Sequence, residues 1–138
     1  MRKRARIDAL LSGLVTQTAP DLLALRGVGI GTAATLLVTA GDNPGRLRSE
    51  AAWAHLCGAA PIPASSGKIT RHRLNPGGDR QANHALWRIV ITRMSSHPAT
   101  RAYVDRRTAQ GLSKKEIMRC LKRYVAREVY PHLRHVAD

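Results

Sequence analysis

The stretch Asp79-Arg-Gln-Ala-Asn-His-Ala-Leu-Trp-Arg-Ile-Val-Ile-Thr-Arg-Met-Ser-Ser96 decides the fold. Asp79 is a favoured N-cap type, because its carboxylate accepts from an N–H of the first helical turn. Beyond it Ala82, Ala85, Leu86, Ile89, Val90 and Met94 recur every three or four residues, which predicts one helix to about Ser96 with an apolar inner face. Other helices must cover that face, and the flanking sequence supplies them. Pro98 suits the first turn of a next helix, ending near Gly111. Ser113-Lys-Lys-Glu116 is a capping box for a last helix over 114–129. There Ile117, Leu121, Tyr124 and Val125 fall on the apolar side, with Lys115, Arg119, Lys122 and Arg123 opposite, and Pro131 reads as the end.

Upstream, Ile7, Leu10, Leu11, Leu14 and Val15 predict a short helix over 7–18. Pro20 and Asp21 break it and start another, Leu22–Arg26, which stops at Gly27-Val28-Gly29. Helical character resumes over Thr32–Ala40, Asp42-Asn-Pro-Gly45 is a turn, and Ser49 caps a helix over Glu50–Cys57 with Gly58 as its stop. Residues 59–78 differ in kind. Pro61, Pro63, Gly67, Pro76, Gly77 and Gly78 exclude a long helix. Lys68 to Leu74 alternates weakly, as a short strand or an ordered loop. The expected fold is therefore mostly α: a compact helical domain with a helix-hairpin-helix motif over 22–40 and an irregular loop or short-strand insert.

With 138 residues the chain is one ordinary domain, and 43% hydrophobic residues suffice for a packed core. Lys and Arg total 23 against 9 Asp and Glu, a net charge of +14, which points to a polyanion and first to nucleic acid. The carboxylates are scattered, with no pair or triplet spaced for Mg²⁺, so a self-contained metal-dependent nuclease is not expected and no metal site is assigned. No apolar run approaches a membrane span, and the basic N-terminus leads into too short a stretch for a secretory signal. A cytoplasmic, nucleoid-associated protein is expected. Cys57 and Cys120 read as two buried thiols, and His132 and His135 as surface residues rather than zinc ligands. Tyr103, Tyr124 and Tyr130 are weak candidates for a tyrosine nucleophile. Tyr124 reads as core, and Trp53 and Trp87 read as packing residues.

Three motifs carry candidate chemistry. In Leu25-Arg-Gly27-Val28-Gly29-Ile-Gly31-Thr-Ala33 a helix ends at Gly-apolar-Gly, and Ala33 lets the next helix pack closely. Gly27, Gly29 and Gly31 permit a tight hairpin whose free N–H groups face a phosphate; a hairpin with no ligand is the plain alternative. In Pro61-Ile-Pro-Ala-Ser65-Ser66-Gly67-Lys68, followed by Arg71-His72-Arg73, hydroxyls lie beside Gly amid cations. That suits a serine attacking a phosphodiester, or equally a phosphate-contacting loop or a solvated turn. In Gly77-Gly78-Asp79-Arg80 a turn opens a helix whose first turns carry Arg80, Asn83 and His84, a phosphate site or ordinary capping.

Taken in order, these motifs resemble one family. Gly-Val-Gly with Ala33, Trp53-Ala-His-Leu-Cys57-Gly58-Ala-Ala-Pro61, Ser66-Gly67, Leu74-Asn-Pro-Gly-Gly78-Asp79-Arg80-Gln-Ala-Asn83, Thr100-Arg-Ala-Tyr103 and Ile117-Met-Arg-Cys-Leu-Lys-Arg-Tyr124 are similar to the C-terminal domain of the IS-one-ten/IS-one-sixteen/IS-nine-zero-two insertion-sequence transposases. The resemblance implies RNA-guided DNA recombination, with DNA and a bridge RNA as partners. It implies a catalytic serine at Ser66 (Ser65 second) that joins transiently to a DNA end, and phosphate or RNA contacts from Lys68, Arg71, Arg73 and Arg80. In that family a RuvC-like half holds the metal, so Mg²⁺ is expected there and no cofactor in this chain. The partners are then that half or a full-length transposase, and the intact enzyme is a homo-oligomer. Asp79 stands where many relatives have Asn, which favours capping over phosphate contact. Residues 1–19 read as the end of a coiled coil or a linker helix, 20–133 as the serine domain and 134–138 as a tail. With the RuvC-like half absent, the isolated chain is expected to bind nucleic acid without recombining it. A non-catalytic transposase remnant and a stand-alone helix-hairpin-helix DNA-binding protein are the alternatives.

Overall fold

A computed structural model describes residues 2–60 and 78–137, and all regular structure among them is helical. Helix α1 spans Arg2–Thr18, α2 Pro20–Leu23, α3 Ile30–Asp42, α4 Glu50–Leu56, α5 Arg80–Ser96, α6 Pro98–Ala109 and α7 Lys114–Leu133; 3-10 turns cover Pro44–Leu47 and Arg134–Ala137. The mostly α class expected from the sequence is the observed one. The Ser-Gly motif, and the short strand or ordered loop expected over residues 68–74, lie outside the described residues.

Helix α5 is the centre, packed against α3, α6 and α7. Its inner face is the expected one: Ala82, Ala85, Leu86, Ile89 and Val90 are buried, and Met94 packs against the same core. Trp53, Leu22, Leu36, Ile117, Val125, Val129 and Leu133 complete that core. The caps are also as read. Asp79 accepts from Ala82 N–H at 2.8 Å, Ser49 from Ala52 N–H at 3.1 Å, and Ser113 and Glu116 form the reciprocal box. Gly58, at φ +69°, ends the turn after α4.

Several boundaries differ from the reading. Helix α2 stops at Leu23, and residues to Val28 form turns closed by Leu25 N–H to Leu22 C=O and Val28 N–H to Leu25 C=O. Helix α7 runs through Pro131 to Leu133. A proline there removes a single helical donor, whereas Val129 and Leu133 are buried and the Tyr130 hydroxyl donates to Leu47 C=O at 2.7 Å. The buried contacts outweigh the lost bond. Two side chains face the other way from expectation. Tyr124 is 56% exposed rather than core, and Cys120 is exposed while Cys57 is buried. Trp53 is fully buried as expected, but Trp87 is 39% exposed.

Candidate nucleic-acid interface

Helix α3 begins bare. Its N-cap, Gly29, has no side chain to bond the first turn, and the first helical bond is Ala33 N–H to Gly29 C=O. The N–H groups of Ile30, Gly31 and Thr32 precede that bond, so helix geometry leaves them without an intrahelical acceptor. A side chain at Gly29 or Gly31 would meet only open space, so neither glycine is demanded by packing. What they do is leave the helix start uncovered. Gly27 is different: at φ +83°, with its missing Cβ 3.2 Å from the Ile89 carbonyl, it seats the turn against α5. Gly27 therefore builds the site, while Gly29 and Gly31 face it. Ala33, in the first turn of α3, is fully buried.

The cleft at this helix start has a volume of about 530 Å³ and is walled on the other side by α5, through Arg80, Gln81, His84 and Arg88. A second hollow continues from it along residues 23–29 to Arg88 and Thr92, sharing Gly29, Thr32 and Arg88. Along α5, Arg80, His84, Trp87, Arg88 and Ile91 are all exposed, at the spacing of one helical face. Eight residues separate the two arginines, about 12 Å along the axis. Between them the rings of His84 and Trp87 stack at 5.4 Å. Positive helix-end charge, unpaired N–H groups and two guanidinium groups converge on one opening, an arrangement that attracts anions.

Of the predicted residues, the structure brings Gly29, Gly31 and Arg80 together and puts Gly27 beneath them. Ser65, Ser66, Lys68, Arg71 and Arg73 lie outside the described residues. The chain on either side of residues 61–77 is well tied. Asp79 N–H donates to Leu56 C=O at 2.6 Å, and Asn83 Nδ2 to Cys57 C=O at 2.8 Å. Lys122 Nζ from α7 donates to Asn83 Oδ1 at 3.2 Å. Asn83 thus clasps the end of α4 to α7, and Asp79 caps α5. Burial pulls the Lys122 ammonium below its ordinary pKa. Burial, assisted by the Asp79 charge, pushes the Cys57 thiol far above its ordinary value. Both shifts mark a root partly withdrawn from water.

Sequence reasoning missed Arg88 in the cleft. The signal was present, since Arg88 lies two helical repeats beyond Arg80 and one beyond His84. Among the described residues no group of three or more His, Cys, Asp or Glu side chains is placed to hold a metal ion. No helix among them is long and apolar enough to cross a membrane.

Fold and surface together define a small helical domain with a cationic cleft at a helix start. Its family follows from comparison with known proteins. Residues 19–105 match the family described as Transposase IS116/IS110/IS902 family, and the chain belongs to it. The chain is 39% identical over 108 residues to the insertion element IS110 uncharacterized 43.6 kDa protein of Streptomyces coelicolor, covering 78% of this chain and 26% of that protein. It is 28% identical over 94 residues to the insertion element IS900 uncharacterized 42 kDa protein of Mycobacterium paratuberculosis, covering 67% of this chain and 24% of that one. The chain therefore spans about a quarter of the length of these relatives. No solved structure matches it significantly.

Proposed function

We propose that this chain is the serine-bearing, nucleic-acid-contacting part of a DNA transposase. The observation that carries the reading is the cleft where the bare start of α3 meets Arg80 and Arg88. On this reading α2, the Gly27 turn and α3 act as a helix-hairpin-helix clamp on the sugar–phosphate backbone. Such contacts position nucleic acid without reading its sequence. That agrees with a family in which a bridge RNA selects donor and target.

Ser66 is the proposed nucleophile, with Ser65 the second choice. Its Oγ attacks a DNA phosphorus, the hydroxyl of the departing strand leaves with a proton, and the new serine phosphodiester is later returned to another strand end. Lys68, Arg71 and Arg73 offset charge developing on the phosphoryl oxygens. What supports coupling the insert to the cleft is the tie between Leu56 and Asp79: the helix that receives the insert presents Arg80 one residue later. Mg²⁺ belongs, on this reading, to the carboxylates of a RuvC-like half, and the working enzyme is a homo-oligomer acting in the nucleoid.

The test has two parts. Fluorescence anisotropy with duplex DNA across a salt series should show the Arg80→Ala, Arg88→Ala double variant binding more weakly, its log–log salt slope reduced by about 2. An unchanged slope removes the cleft from the reading. Reconstitution with a RuvC-like half on a nicked suicide substrate should yield DNA covalently linked to Ser66, located by mass spectrometry. A link that survives Ser66→Ala excludes this serine.

A further inference from the structure

Another opening, formed mainly by α5, α6 and α7, shares no lining residue with the cleft at the start of α3 and only Arg26 with the hollow that continues it. Its volume is about 620 Å³, within the range of small-ligand sites. Val90, Leu121 and Val125 give it an apolar floor. Tyr124 enters it 56% exposed, although it follows the apolar stripe of α7. An aromatic ring left so open beside a buried floor has no covering partner among the described residues. Tyr103 lines the opposite side and is half-buried, with Arg106 and Arg107 over its ring at 5.4 and 5.9 Å.

Charge then selects the occupant. The lining carries four arginines; Arg93 holds Glu128 at 2.6 Å and Arg127 is paired with Glu50 at 3.0 Å, which leaves the charges of Arg26 and Arg123 unbalanced by these two carboxylates. The groove is therefore net cationic over an apolar, aromatic floor. A ligand that fits both features is anionic and presents a flat ring. We propose that this groove binds a nucleotide of single-stranded nucleic acid, with the base stacked on Tyr124 and its phosphate at Arg123. A duplex keeps its bases stacked on one another and offers no free ring, whereas an unpaired strand does. The inference rests on the nucleic-acid reading above but not on the α3 cleft.

The experiment compares a short oligothymidylate with an abasic oligomer of the same length, using the whole chain. The wild type binds the thymidylate more tightly. Tyr124→Ala weakens thymidylate binding by roughly 5- to 100-fold and leaves the abasic oligomer nearly unaffected, while Tyr124→Phe behaves as wild type. Arg80→Ala weakens both oligomers and preserves their ratio, so loss of the cleft and loss of the stacking site are separable. Photocrosslinking with 5-iododeoxyuridine should place the adduct on a peptide containing Tyr124. The proposal is overturned if Tyr124→Ala weakens both oligomers equally, or neither. It is overturned too if that variant changes only self-association in sedimentation, which would make the groove a protein interface.

Discussion

Arg93 lies on α5 with 5% of its surface exposed. Its Nε donates to the Arg26 carbonyl at 2.7 Å and a terminal nitrogen reaches Glu128 at 2.6 Å. One side chain thereby ties the turn before α3 to both α5 and α7. Removing the carboxylate strands a buried cation, so Glu128→Ala should destabilise the chain by about 3 kcal/mol, the lower end for such pairs because Glu128 is itself part-exposed. Urea denaturation followed by circular dichroism measures this. The cysteines give a second expectation. Cys57 is enclosed, and burial pushes its thiol above the ordinary range, whereas Cys120 is exposed. Native protein at pH 8 should titrate one thiol with Ellman's reagent, and denatured protein two. These residues also show where sequence legibility ended. Position 93 lies four after Ile89, on the inner face by spacing, but a charged type conceals a buried role. Tyr124 misled in the other direction, since an apolar stripe reports which side a helix buries and not how far its rim is covered.

The capping devices of the helices were legible, because each is a local rule confined to a few residues. Ser113 and Glu116 satisfy the start of α7 in both directions, and that helix carries six buried side chains. Ser113→Ala should cost about 1 kcal/mol. The hydrogen bonds from Ser113 hold Glu116 below its ordinary carboxylate pKa. The sign follows: a depressed folded value adds stability above the unfolded pKa and loses it as pH falls through the folded one. The largest cause is the Ser113 backbone N–H donating to the Glu116 carboxylate, so unfolding measured against pH should show a Glu116→Ala penalty present at neutral pH and shrinking in acid. A penalty that grew in acid would contradict the box. The far end of α7 was not legible in the same way. Pro131 stops a helix by local rule, yet burial of Val129 and Leu133 and the Tyr130 anchor on Leu47 come from distant segments. The short α2 has the same origin. Its predicted extension to Arg26 gives way to a turn seated by Gly27 on the Ile89 carbonyl.

Across the whole molecule the charge of +14 forecast a polyanion partner, while its distribution needed the fold. The start of α3 and the start of α5 are about 50 residues apart in the chain, and only their packing makes one cleft of Gly29, Gly31, Arg80 and Arg88. That packing depends on Gly27, where a methyl group would press on backbone at an unfavourable φ. Gly27→Ala should then lower stability by about 1–3 kcal/mol and, at temperatures where the variant is still folded, weaken duplex binding with a smaller salt slope. Gly31→Ala makes the contrasting case. Its side chain meets no atom of the protein, so stability should hold while the phosphate approach to the helix start is obstructed. If both variants bind duplex as the wild type does, the cationic face acts through diffuse charge alone, and the salt slope of the Arg80 and Arg88 variants becomes the sole measure of the cleft. If Gly31→Ala weakens binding at unchanged melting temperature, the bare helix start is in contact with the backbone of the nucleic acid. The wild-type chain, incubated with supercoiled DNA and Mg²⁺, should leave it uncut, because the proposed serine chemistry draws on a metal-holding half. Cleavage that disappears in Ser66→Ala would instead show a nucleophile sufficient within these 138 residues.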